Sequence, residues 1–129
     1  MRSPEKAVDN IAAKSSGKIG SFDGQWVNEL QSTMTLRVNG TTVTGTYTTT
    51  KSRGGGPLPP HPLVGSVNGN LIAFIVNWTD KAAITSWVGQ LSEPDTIFAL
   101  WQMTLQVDDP SQDLWESIWA GSDTFNRLT

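Results

Sequence analysis

The sequence predicts an all-β protein, an eight-stranded antiparallel β-barrel whose strands run up and down in chain order. Three observations support this prediction. From Gly24 onward, short runs rich in threonine, valine and aromatic residues alternate with glycine, asparagine and proline, which is typical of an antiparallel meander. Asn-Gly pairs at 39–40 and 68–69 supply the positive-φ residues of tight hairpins. Six tryptophans in 129 residues indicate an aromatic interior or pocket.

Eight segments have the composition of strands, and the chain before them does not. Residues 1–23 are polar and are predicted to form a tail outside the core, with a helix within Glu5–Lys14, while residues 24–129 form the barrel domain. Lys51–His61 combines three consecutive glycines with a proline run, which predicts a mobile lid rather than a hairpin turn. The predicted strands are Gln25–Leu30, Thr33–Val38, Thr42–Thr49, Pro62–Val67, Leu71–Trp78, Thr85–Leu91, Thr96–Gln106 and Glu116–Leu128.

Charge and composition argue against several classes of protein. The formal net charge is -3 and no short window concentrates basic residues, so nucleic acid is not an expected partner. No apolar stretch approaches the roughly 18 residues of a membrane span, and the first residues lack the apolar run of a signal peptide. The absence of cysteine excludes disulfides, thiolate metal sites and thiol nucleophiles.

Alternation along the strands predicts which side chains face the interior. Trp26 and Trp119 are assigned to core packing, and three further tryptophans, Trp78, Trp87 and Trp101, share the lumen. Five polar groups also fall on inward faces, where no cation balances them, and such a cluster is costly unless a polar ligand satisfies it. These polar groups are Asn28, Ser32, Tyr47, Thr49 and Asp123.

Motifs along nearly the whole barrel resemble avidin and streptavidin. GQWVNELQSTMTL resembles the first hairpin of that family, TGTYTTT the third strand, FIVNW and ITSWVGQL the fifth and sixth, and FALWQM and DLWESIWAGSDTF the last two. The resemblance implies a streptavidin-like barrel that binds biotin with high affinity in its lumen, without a cofactor and without catalysis. An eight-stranded barrel can hold one small ligand, and streptavidin is itself one of the examples behind that rule.

Carried over position by position, the resemblance implies a role for each residue of the biotin site. Asn28, Ser32 and Tyr47 would donate hydrogen bonds to the ureido oxygen. The ureido N–H groups would then donate to Thr49 and Asp123. The remaining implied positions are Thr85 near the thioether sulfur, Met103 where a leucine is common, and the ring walls Trp78, Trp87 and Trp101. Alternation along the first strand adds Leu30 to the predicted site, on the same face as Asn28.

Two features of the chain concern the mouth of that site. Ala83 occupies the place where better-known members have a serine that reaches the biotin carboxylate, so the lid backbone at Thr50 and Lys51 is the expected substitute. Trp115 matches the tryptophan that family members contribute to a neighbour's site, which implies a homo-oligomer, a tetramer. The resemblance also implies a secreted or periplasmic protein.

Other functions remain open on the residues alone. A lipocalin-like carrier of another small hydrophobic ligand would use the same lumen but would leave the polar cluster unpaired. An adhesive protein would show no change in tryptophan fluorescence on adding biotin. For an enzyme, His61 is the only histidine and is predicted to be an exposed loop residue rather than a general base. The acids of 108–116 are predicted to be solvated in a loop.

Overall fold

The computed structural model describes residues 4–8, 11, 20–49, 59–92 and 95–128. Each strand pairs with the next in chain order and the last pairs with the first, so the sheet is a closed antiparallel barrel. This topology confirms the predicted fold class. The described strands are β1 (Gly24–Asn28), β2 (Thr33–Asn39), β3 (Thr42–Thr48), β4 (His61–Asn68), β5 (Leu71–Trp78), β6 (Ala83–Ser92), β7 (Thr96–Leu105) and β8 (Ile118–Arg127), and the helices are α1 (Pro4–Val8) and α2 (Pro110–Ser117).

The two Asn-Gly pairs form the expected hairpins. Gly40 and Gly69 have φ values of 65° and 59°, the left-handed region that glycine adopts without a steric penalty. The strands they join are in register up to the turns, with Asn39 opposite Thr42 and Asn68 opposite Leu71. The prediction of tight β2–β3 and β4–β5 turns is confirmed.

The barrel has two different ends. The closed end carries the two Asn-Gly turns and the start of β1. The open end carries the β1–β2 turn, the β3–β4 connection, the β5–β6 turn and α2, because antiparallel order brings the opposite strand termini together there. Every second residue of the strands points into the lumen, and the buried apolar side chains form one cluster.

The closed end is filled by the apolar core. Trp26 is fully buried and its Nε1–H donates to the Phe22 carbonyl over 3.0 Å. Phe22 itself is 3% exposed, so the prediction that residues up to 23 lie outside the core is wrong at this position. The guanidinium of Arg127 lies 4.3 Å from the Trp26 ring and donates to the carbonyls of Ser21 and Asp23. These contacts fasten the segment before β1 to the end of β8.

Helix α2 occupies a segment that the sequence analysis assigned to a loop and to the start of the last strand. Asp109 is the N-cap, and its carboxylate accepts from the Ser111 N–H over 3.1 Å, while Pro110 occupies the first turn. An acceptor at the N-cap followed by proline is a helix start signal, so the prediction of a loop for these acids is wrong. At the other terminus, α1 spans Pro4–Val8, and the rest of the predicted Glu5–Lys14 helix, except residue 11, lies outside the described residues.

Two residues predicted to lie in the interior are exposed. Leu30 is 60% exposed, because β1 ends at Asn28 and Leu30 lies in the turn beyond it. Trp119 is 53% exposed, near the start of β8, where the first three residues are all exposed. Both positions lie at the open end, where Leu30 is beyond the strand and Trp119, although it shares the register of Asp123, has no residue of β1 beside it to bury it.

Candidate ligand-binding site

The β1–β2 turn is organised by one side chain of the predicted polar cluster. Asn28 Oδ1 accepts from the backbone N–H groups of Leu30 and Ser32, over 3.0 and 2.9 Å. This leaves the amide nitrogen to point across the barrel, where it donates to the Tyr47 hydroxyl over 3.3 Å. Ser32 and Asn28 are both buried, and the Ser32 side chain also hydrogen-bonds Tyr47. Three predicted site residues therefore meet at one point of the lumen.

Tyr47 connects this polar group to the aromatic residues. Its ring lies 4.9 Å from that of Trp87 and 5.9 Å from that of Trp78, the latter edge-on. Burial raises the pKa of the Tyr47 hydroxyl well above its ordinary value, and the nearby Asp123 acts in the same direction. The hydroxyl is therefore neutral at physiological pH and keeps a proton that it can donate.

Asp123 places a carboxylate on the inner face of β8. Its Oδ2 accepts from Trp87 Nε1–H over 2.9 Å, and the side chain is buried. Burial raises the pKa of Asp123 to about 6; the Trp87 hydrogen bond opposes this, while Glu29 adds to it. Burial alone would also raise the pKa of Glu29, but hydrogen bonds from its own N–H, from Thr124 and from Asp123 lower it. The two carboxyl groups are thus linked, with Glu29 the more acidic.

The aromatic walls are held by the sheet register. Trp78 Nε1–H donates to Thr85 Oγ1 over 2.8 Å, between neighbouring strands β5 and β6. Trp87 stacks on Phe74 at 4.9 Å with an interplanar angle of 13°. Trp101 faces Gly121 across β7 and β8, and a Cβ at Gly121 would come within 2.6 Å of the indole. Glycine at this position is required for the indole to lie where it does.

A buried histidine at the open end was missed by the sequence reasoning. His61 is the first residue of β4 and is 8% exposed, so the prediction of an exposed loop residue is wrong. Its Nε2–H donates to Asp80 Oδ1 over 2.7 Å, and the ring lies 4.9 Å from Trp78. The sequence carries a usable signal: His61 is two residues before Leu63 in the alternating pattern of β4, which assigns it to the inner face.

A model of the avidin family matches residues 16–128 of the chain. This chain belongs to the avidin family. Avidin-related protein 4/5 of Gallus gallus is 28% identical over 128 residues, covering 92% of this chain and 85% of the relative. The crystal structure of Xenavidin has a TM-score of 0.73 at 28% identity, covering 86% of this chain and all of the other. A rhizavidin–biotin complex has a TM-score of 0.68 at 28% identity, covering 88% of this chain and 98% of the other.

The avidin-type barrel brings most of the predicted site residues to its open half. Ala83 pairs with Trp78 and Leu105, and Thr85 pairs with Met103, so these side chains lie on adjacent strands. Thr49 is half-buried just after β3. Leu30 is the exception, since it lies in the exposed β1–β2 turn.

Three positions of the predicted avidin-type site fall outside the described part of the chain. These are Thr50, Lys51 and the side chain of Trp115, whose backbone lies in α2. Within the ranges that the structure describes, no group of three or more histidine, cysteine, aspartate or glutamate side chains could hold a metal ion. No helix in those ranges is long and apolar enough to cross a membrane.

Proposed function

We propose that this avidin-family chain binds biotin in the lumen of the barrel, at its open half, and acts as a binding protein without catalysis. One observation carries the proposal. Asn28, Ser32 and Tyr47 converge within the lumen, and the inward-facing carboxylate of Asp123, which accepts a hydrogen bond from Trp87, lies beside them. The structural match to a rhizavidin–biotin complex supports the same ligand class.

The polar group supplies both kinds of hydrogen bond that a cyclic urea requires. Asn28, Ser32 and Tyr47 carry N–H and O–H donors for the ureido oxygen. Asp123 and Thr49 carry acceptors for the two ureido N–H groups. Three donors on the oxygen polarise the urea, which makes its N–H groups better donors to the carboxylate. An apolar ligand would offer none of these partners, so the lipocalin-like alternative is not favoured.

The tryptophans supply the apolar part of the site. Three successive strands carry Trp78, Trp87 and Trp101, with Met103 beside them. These side chains would pack against the bicyclic ring of biotin. Thr85 Oγ1 accepts from Trp78, so its own hydroxyl proton is left to face the thioether sulfur. The lid backbone at Thr50 and Lys51 remains a proposed contact for the biotin carboxylate.

The experiment is titration calorimetry of the purified protein with biotin and with a ring-opened analogue that lacks the ureido group. We expect one biotin per chain and much weaker binding of the analogue, because the polar group then loses its partner. Equal affinity for both compounds would contradict the assigned roles, and absence of heat with either compound would contradict biotin binding itself.

We further propose a homotetramer in which Trp115 of one copy enters the site of a neighbour, in a protein that is secreted or periplasmic. The family resemblance supports these points.

The outer face of the barrel supports self-association, since a groove of about 480 Å³ lies among the exposed side chains of Val88, Phe98 and Leu100. Leu100, which is 69% exposed, is suited to a test: Leu100→Lys should lower the mass measured by light scattering.

A further inference from the structure

A histidine–carboxylate pair stands at the open end of the barrel, next to the proposed ligand site. The His61 side chain is 10% exposed and that of Asp80 is 45% exposed, so the imidazole belongs to the lumen wall while the carboxylate faces solvent. The ring contacts Trp78, itself a proposed wall of the site, and His61 pairs with Tyr47 across β3 and β4. The imidazole therefore adjoins two residues that the proposed function already uses.

Asp80 fixes the orientation of the imidazole. The hydrogen bond from His61 lowers the pKa of Asp80, which keeps its carboxylate ionised and acceptor-only. His61 must then carry its proton on Nε2 in the neutral form, and further protonation occurs on Nδ1. Among the residues that the structure describes, Asp80 is the hydrogen-bond partner of this ring. Nδ1 is thus the ring nitrogen that remains to hydrogen-bond a bound molecule.

We infer that His61, held by Asp80, is a specificity-determining residue that binds the carboxylate at the tail of the ligand. The inference rests on the proposed function, because biotin ends in a carboxylate. Ala83, opposite Trp78 on β6, presents a methyl group and offers no hydroxyl to that carboxylate. The His61 ring, which contacts Trp78 from the neighbouring strand β4, offers a nitrogen to the carboxylate at the same end.

The charged and titratable groups around the His61–Asp80 pair keep their charge state over the range of the experiment, which separates the contribution of His61 from theirs. Asp80 and Lys81 lie on the β5–β6 turn, and Tyr47 lies on β3. The raised pKa of Tyr47 keeps its hydroxyl neutral, and lysine and arginine side chains carry their charge throughout the range from pH 5 to 8. A pH dependence of tail recognition that is lost in His61→Gln is therefore assigned to the imidazole.

The experiment measures the affinities of biotin and biotin amide between pH 5.5 and 8. The two compounds share the ureido ring and differ in the charge of the tail, so titration of Asp123 affects both equally and cancels in their affinity ratio. We expect the ratio of biotin to biotin amide affinity to rise about tenfold as the pH falls, because a charge-assisted hydrogen bond forms with the carboxylate alone. A ratio that is constant with pH overturns the inference while leaving biotin binding intact.

Two variants locate the effect. His61→Gln should abolish the pH dependence of the ratio, and Asp80→Asn should weaken it, because the imidazole loses the carboxylate that orients it. Asp95→Asn is the matched control, since Asp95 is an exposed carboxylate that accepts from Arg127 at the closed end. A pH-dependent ratio that persists unchanged in His61→Gln or in Asp80→Asn overturns the role of the pair.

A second measurement uses the fact that His61 is the only histidine of the chain. Its imidazole proton resonances are therefore unambiguous in a one-dimensional NMR titration. By linkage, a ligand that binds the imidazolium more tightly must shift its titration to higher pH. We expect biotin to produce that shift and biotin amide to produce none. If the His61 resonances titrate at the same pH with both ligands, the inference is overturned. This measurement uses the parent protein and so does not depend on the folding of the His61→Gln variant.

Discussion

The closed and open ends of this barrel use the same strands for different purposes. At the closed end, two-residue turns join β2 to β3 and β4 to β5, Trp26 and Phe22 fill the lumen, and Arg127 ties three segments together. At the open end, the connections are longer, and inward positions carry amide, hydroxyl, imidazole and carboxylate groups instead.

The difference shows where the free energy of folding is concentrated. Apolar side chains at the closed end gain by leaving water, whereas a buried polar group at the open end only recovers hydrogen bonds that it had in water. Asp123 with a pKa near 6 is a clear case, since its folded environment disfavours the charged form. We therefore expect substitutions at the closed end to change stability and those at the open end to change affinity.

The largest expected effect is at the closed end. Trp26→Ala removes a fully buried indole and its contacts with Phe22 and Arg127. We expect the free energy of unfolding to fall by about 4 kcal/mol, the usual cost of truncating a buried aromatic residue. Urea denaturation at fixed protein concentration measures it. Biotin affinity of the folded fraction should change little, and a large loss of affinity at unchanged stability would contradict the division between the two ends.

The matching change at the open end is Asp123→Ala. We expect biotin affinity to fall by about 3 kcal/mol, because an ionised acceptor inside a desolvated site is lost. The folded pKa of Asp123 lies above its ordinary value, so the contribution of this carboxyl group to stability falls as the pH rises from about 4 to 6. Asp123→Ala should therefore not lower the free energy of unfolding at pH 7. Calorimetry and urea denaturation check the two statements. An affinity within a few tenths of a kcal/mol of the parent would contradict the role of this carboxylate.

The same carboxylate should make ureido recognition pH-dependent. Below the Asp123 pKa of about 6, the protonated carboxyl group presents a hydrogen in place of an acceptor. Affinity for biotin amide, whose tail is neutral, should therefore fall by about tenfold per pH unit below that value and level off above it. Asp123→Asn should bind weakly with a flat pH profile. A parent profile that is equally flat from pH 5 to 8 would show that Asp123 does not accept from the ligand.

The smallest expected effect is again at the closed end. Asp95→Asn removes an ion pair with Arg127 in which the carboxylate is largely exposed. We expect a loss of about 0.5 kcal/mol in the free energy of unfolding, reduced further at high salt, and no change in biotin affinity. Thermal denaturation at low and high ionic strength measures this. A loss of several kcal/mol would mean that Arg127 depends on Asp95 for its contacts with Ser21 and Asp23.

Some features of the molecule were determined by the sequence itself. The Asn-Gly turns have local chemical causes, and alternation assigned Asn28, Tyr47 and Asp123 to the lumen correctly. Asp109 and Pro110 are likewise a local helix start signal, and the prediction of a loop there is wrong. Local signals of this kind hold in any tertiary context, because they depend on backbone geometry and on hydrogen bonds within a few residues.

The tertiary structure alone decided the rest. Alternation gives a face but not an end of the barrel, so it could not show that Leu30 and Trp119 lie exposed at the mouth while Phe22 enters the core. Nor could it bring His61 to Asp80, which is 19 residues away and joined to it only by the pairing of β4 with β5. Burial and partner choice are properties of the closed sheet, because they depend on which strand ends meet in space.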